Sequence, residues 1–285
     1  MSRQAQLMAV RARLSGLESA PAARQVRVDS PEPSAVLQIQ KLKRDLMTES
    51  VPTFVDRAPR AVLPFGDSRV DACLPGAGLP LGRWHELTGE GMEIETAAVA
   101  AAFAAVLAAP LGQRGEVVWI LRRDDLYAPG LAGLGFPAER LIQVCVRDEA
   151  EALAALEDAL SAAGVADAIG EAESPDLTAG RRLQLACERH GATGFLVRRR
   201  LYGEAVTPRG SAAATRWRIA PAPSEPRPGE PGLGAARWRT VLERCRGGRT
   251  GAWIMEKSDG AHPLRVVAGL GDRELDSTQP VRLAG

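Results

Sequence analysis

The sequence predicts an α/β fold: a mostly parallel sheet flanked by helices, antiparallel strands at its C-terminal side, and a helical N-terminal arm. Three observations point there. From Leu63 onward, short apolar runs alternate with helix-length segments, the texture of βαβ units. Beyond Val197 the pattern changes to strands of alternating side chains, and the first sixty residues are set apart by stretches rich in Pro, Ala, Ser and charge. With 285 residues, 45% of them hydrophobic, the chain has ample material for a core.

Residues 1–60 read as an arm and linker. Leu7, Val10, Leu14 and Leu17 recur at helical spacing among Arg and Gln, and AVLQIQKLKRDLM repeats the pattern between residues 20–34 and 47–60. Each stripe could lie on the core or dock another protein, and the sequence leaves that choice open. Glu18 and Asp29 argue against an organellar presequence, and no signal-peptide pattern is present. The Ala-rich run Ala97–Leu111 is too short for a membrane span, so a cytoplasmic location is expected.

The core is expected over residues 61–260. Strands fall at Arg83–Leu87, Val117–Leu121, Leu141–Val146, Val165–Ile169 and Gly194–Val197, with helices over 96–109, 149–163 and 177–190. Asp148 with Glu151 three residues on starts the second of these helices, and Gly164 closes it. TRWRIAPA, ARWRTVLERC and GAWIMEKS read as antiparallel strands, with a flexible connection from Pro221 to Gly234. Residues 261–285 supply a last strand and a tail.

Composition narrows the function classes. Thirty-six Lys and Arg against 35 Asp and Glu leave a formal charge of +1, so any basic site is local rather than a property of the whole surface. Cys73, Cys145, Cys187 and Cys245 are too far apart for a zinc site, and the first three sit in apolar contexts typical of small core residues. His85, His190 and His262 show no ligand spacing. No catalytic residue, metal or cofactor is expected.

The segment LPFGDSRVDACLPGAGLPLGRWHELTGEGMEIETAAVAAAFAAVLAA resembles the lead-in, phosphate loop and following helix of the RecA family. In a working loop, small residues let backbone N–H groups wrap the phosphates, a Lys neutralises them, and Ser or Thr holds Mg²⁺. Gly89 and Thr96 keep the two ends, but Ile94 and Glu95 replace the Gly–Lys pair, and Glu90 and Glu93 add carboxylates. A carboxylate ~4 Å from a phosphate oxygen is repelled by about 4 kcal/mol at an effective dielectric of ~20. Along the same resemblance, the family's activating glutamate falls near Arg122 and Arg123, with Asp124 or Asp125 as alternatives one or two residues on. The metal-orienting aspartate falls near Glu171, read here as a solvated strand-end carboxylate.

Two basic segments follow. In RRRLYGEAVTPRGSAAATRWR, residues Arg198, Arg199, Arg200, Arg209, Arg216 and Arg218, with Tyr202, are candidates for phosphate contact and base stacking on single-stranded DNA. In RWRTVLERCRGGR, Arg237 and Arg239 share one strand face opposite Trp238, which makes either a basic strip or the charge that protects an edge strand from aggregation.

Over about residues 62–260 the lead-in, the altered loop and the ending RWRTVLERCRGGRTGAWIMEKSDG resemble the ImuA family, RecA-like bacterial proteins without ATPase motifs. The resemblance implies a non-catalytic accessory role in damage-induced, error-prone translesion synthesis. It implies an ImuB-like protein and an alternative DnaE-type polymerase as partners, with RecA and single-stranded DNA as further ones. A SulA-like cell-division inhibitor and a variant RecA-like ATPase stand as alternatives, and oligomerisation is left open.

Overall fold

The computed structural model describes residues 24–26, 61–199, 211–226, 229 and 233–269. Their strands are β1 (Arg24–Val26), β2 (Val62–Leu63), β3 (Leu79–Pro80), β4 (Trp84–Gly89), β5 (Glu116–Leu121), β6 (Leu141–Cys145), β7 (Val165–Ala172), β8 (Thr193–Arg198), β9 (Thr215–Ala222), β10 (Arg237–Cys245), β11 (Gly251–Lys257) and β12 (Leu264–Gly269). The helices are α1 (Ser68–Asp71), α2 (Glu93–Ala108), α3 (Ala128–Leu131), α4 (Glu149–Leu160) and α5 (Leu177–His190).

Ten strands form one sheet in the order β1-β6-β5-β7-β8-β4-β9-β10-β11-β12, while β2 and β3 make a separate hairpin. Every pairing from β1 to β9 is parallel; those among β9, β10, β11 and β12 are antiparallel. The expected α/β class and the antiparallel C-terminal side are therefore present. The arm departs from expectation, because Arg24–Val26 runs parallel to Ile142–Val144 at the far edge of the sheet. Its two helical patterns lie outside the described residues.

Two apolar layers sandwich the parallel strands. On one face, α2 packs against β4, β8 and β9. Phe103, Ala104, Ala105, Leu107 and Ala108 are all fully buried, so this helix is apolar on every side and shows no amphipathic period. On the other face, α4 and α5 pack against β4, β5, β7 and β8. Their starts are set by capping: Asp148 accepts from Glu151 N at 2.8 Å and Asp176 from Ala179 N at 2.6 Å. Gly191 ends α5 in the left-handed conformation, φ +77°. No described helix is long and apolar enough to cross a membrane.

The antiparallel strands extend the α2 layer. Trp217, Trp238 and Trp253 point inward from β9, β10 and β11; Trp217 lies 6.2 Å from both Phe103 and Trp253, and Trp238 lies 5.8 Å from Phe103. Alternation then sends Arg216, Arg218, Arg237 and Arg239 to the opposite face. Because β10 lies between β9 and β11, its arginines are not the guard of a sheet edge.

Three buried polar groups sit in this frame. His85 is held between Thr215 Oγ1 at 2.8 Å and the Pro80 carbonyl at 2.9 Å, and burial lowers its pKa to about 4. Burial likewise pushes the Cys187 thiol up to about 12, an inert core position. Asp167 on β7 is fully buried and its carboxylate makes no hydrogen bond among the described residues, so burial raises its pKa well above the carboxylate range.

A carboxyl raised in the folded state is neutral there while the unfolded chain ionises near its ordinary value. Its stabilisation is complete below that value and is lost as pH rises toward the folded pKa, by about 1.4 kcal/mol per unit. Asp167→Asn removes this loss. The gain in Tm over the parent is expected to grow between pH 5 and pH 8, as read by thermal unfolding; a difference that stays flat with pH contradicts the assignment.

Candidate functional site

Parallel sheets place ligands at the carboxyl ends of their strands, where the βα connections open. At that edge the described residues bring charged side chains together. Gly89 ends β4, and a Cβ there would lie 2.8 Å from Thr96 Oγ1, so glycine lets the strand pass directly beneath the first turn of α2. Between β4 and α2 stand only Glu90, Gly91 and Met92. The amide of Glu90 already donates to the Ile219 carbonyl at 2.8 Å, and the Thr96 hydroxyl donates to the Met92 carbonyl at 3.0 Å. Ile94 and Glu95 fall in the first turn of α2, and their side chains lie outside the described residues.

The centre of the edge is Arg199, one residue past β8. Its Nε donates to Glu93 at 2.7 Å, Nη1 to Glu171 at 3.0 Å, and Nη1 and Nη2 clasp both oxygens of Asp125 at 3.0 and 2.8 Å. Its side chain is 8% exposed. These partners arrive from α2, from the loop after β5 and from β7, so one guanidinium ties three crossovers together. Such charge-assisted, partly bidentate bonds are the strong class of ion pair.

Asp125 and Glu171 respond according to depth. Hydrogen bonding to Arg199 holds Asp125 below the usual carboxylate range. Glu171 is 2% exposed, and burial pushes its pKa up against the pull of Arg199. The reading of Glu171 as a solvated strand-end carboxylate is thus corrected: the strand end is covered by the connections after β5 and β8. After β5 it is Asp125 that turns into the site, whereas Arg122 pairs with Glu173 at 3.3 Å.

Arg198 points to the other side of the same strand end, as successive residues of extended chain must. It donates to Glu86 at 2.9 Å and to the Glu173 carbonyl at 2.8 Å, and Glu86, 1% exposed, also receives Arg216 at 3.2 Å. Arg218 meets Glu243 at 2.9 Å and Glu90 at 3.8 Å, and Arg239 meets Glu90 at 2.8 Å. Arg237 pairs with Glu225 and Glu256, which also takes Arg265. Arg198 and Arg199, candidates for contact with DNA phosphates, are each 6% exposed and paired with carboxylates. Arg216 and Arg218 are also paired, while Arg200, Tyr202 and Arg209 lie outside the described residues. The missed signal was the row of acidic residues at successive strand ends, Glu86, Asp125 and Glu171, facing one arginine pair.

The chain is 56% identical over 239 residues to Protein ImuA of Caulobacter vibrioides in each of two strains, a match covering 80% of this chain and 98% of the relative. The chain belongs to the ImuA family. No family model matches it. The match to the ImuA relatives runs along nearly their whole length.

Removing the guanidinium leaves the buried Glu171 without its cation beside Glu93 and the more exposed Asp125, and breaking a buried ion pair costs about 3 kcal/mol or more. Arg199→Ala is expected to lower Tm strongly at pH 8 and much less at pH 4, where protonation relieves the repulsion. Equal losses at both pH values, by calorimetry, would speak against the convergence.

Proposed function

We propose that this chain is a non-catalytic, RecA-like accessory factor of damage-induced, error-prone translesion synthesis that acts by binding partners. Family membership supports the setting, since the ImuA name belongs to an ImuA/ImuB mutagenesis cassette. An ImuB-like protein is then the first partner, with an alternative DnaE-type polymerase and RecA beyond it.

The observation that carries the non-catalytic reading is Arg199 in the grip of Glu93, Asp125 and Glu171. In a P-loop enzyme the connection after the first strand cradles phosphates, and carboxylates from neighbouring strands orient Mg²⁺ and water. Here the carboxylates are spent on an internal cation. One guanidinium among three of them still leaves an excess of negative charge, which repels a triphosphate. Ile94 and Glu95 stand where Gly and Lys would supply space and attraction. Without a nucleotide cycle, the chain contributes surfaces. Direct contact with single-stranded DNA would fall to Arg200, Tyr202 and Arg209 rather than to the buried pair.

Calorimetric titration with Mg·ATP is expected to give no saturable heat up to millimolar nucleotide, and co-elution with a purified ImuB-like protein is expected to be the same with and without nucleotide. Micromolar affinity for Mg·ATP, or complex formation that requires it, overturns the reading.

A further inference from the structure

A groove of about 500 Å³ runs along the solvent side of α5, away from the charged edge. Its apolar wall is Leu177 and Leu185, which are 55% and 48% exposed although the helix has a fully developed buried face of its own. They lie eight residues apart, so they present two aliphatic patches ~12 Å apart along the helix. Between them stands the exposed Arg181. The facing wall is made where the chain enters β9 and leaves β10, with Arg244 donating to the Ser211 carbonyl and Arg246 exposed beside it. Gly180 makes the groove narrow at its base: a Cβ there would meet the Ala212 Cβ at 3.1 Å, so helix and strand entry touch.

The charge on this groove is one-sided. Three arginines and no carboxylate line it among the described residues. That differs from the open sheet face, where each of Arg216, Arg218, Arg237 and Arg239 has an acidic partner. Among the described residues Arg181 and Arg246 meet no carboxylate, and the Gln184 side-chain oxygen, also in the wall, is buried without a hydrogen-bond donor. Apolar side chains left in water and cations without a carboxylate among the described residues are two separate deficits. A single kind of ligand meets both.

We propose that this groove receives an amphipathic acidic segment of a partner protein, its aliphatic side chains on Leu177 and Leu185 and its carboxylates on Arg181, Arg244 and Arg246. The mode is a helix in a groove, read through residues spaced at whole turns. Single-stranded nucleic acid fits less well, because non-specific strand binding relies on aromatic side chains to stack bases and the lining has none. The proposal rests on the reading that the chain works by binding partners, but it does not depend on whether nucleotide binds at the other edge of the sheet.

The test uses the full chain and a fluorescein-labelled helix-forming peptide with Leu at every fourth position and Glu or Asp between, followed by fluorescence anisotropy. Micromolar, salt-sensitive binding is expected, at least tenfold weaker for the same peptide with Lys in place of each acid. Leu185→Asp and Arg246→Glu, both at exposed positions, should each weaken binding at least tenfold while leaving Tm within a few degrees of the parent. Arg246→Glu should in turn recover affinity for the Lys peptide. The proposal is overturned by absence of saturable binding, by binding that ignores both variants, by oligo-dT binding that the same variants abolish, or by self-association through this face in sedimentation. Because no nucleotide is present, these outcomes are distinct from those of the Mg·ATP titration.

Discussion

Arg199 is the cation on which the C-terminal edge of this sheet depends. Its guanidinium is withdrawn from water beside Glu93, Asp125 and Glu171, and it joins the start of α2, the loop after β5, the end of β7 and the exit of β8. Desolvation disfavours each of the four charges alone; together they form a set in which the loss of the one cation leaves the rest uncompensated. A second set, Glu86 with Arg198 and Arg216, repeats the principle on the other side of the same strands. Two neighbouring arginines at the end of β8 and just past it are therefore sent to opposite faces, each to its own acids.

Phosphate binding at this kind of edge needs free backbone amides, a free cation and carboxylates available to a metal. Within the chain the Glu90 amide donates to Ile219, the Thr96 hydroxyl donates to Met92, and Glu93, Asp125 and Glu171 bond to Arg199. The surface then offers recognition elsewhere, and the groove along α5 is where apolar area and uncompensated positive charge coincide.

Much of the frame was legible in the sequence. The parallel strands β4 to β8 and their helices announce themselves as apolar runs punctuated by caps, since burial on both faces demands it. TRWRIAPA matches β9 residue for residue because one face is buried and alternation is enforced. The three-residue β1 carries too little pattern to be read, and the β2–β3 hairpin is defined by pairing across 16 residues, not by local signal. The site was less legible. Arg198, Arg199 and Arg200 look like a solvated basic run, and the burial of Arg198 and Arg199 follows from acids up to 112 residues away in sequence. Spacing along a chain does not reveal which strand ends become neighbours, and that adjacency is what turned Glu171 from a surface carboxylate into a buried one. By contrast, the proposal that Ile94 and Glu95 stand in place of a Gly–Lys pair rests on a local motif and needs no knowledge of strand neighbours.

The most direct measurement is a double-mutant cycle between Arg199 and Glu171, using Arg199→Met, Glu171→Gln and the double variant in equilibrium denaturation. If the guanidinium is what makes the buried carboxylate tolerable, the two changes are strongly coupled and the double variant is more stable than additivity allows, by roughly 1–3 kcal/mol. Additive effects within ~0.5 kcal/mol would mean that the two groups are independent, and the closed-edge account would fail.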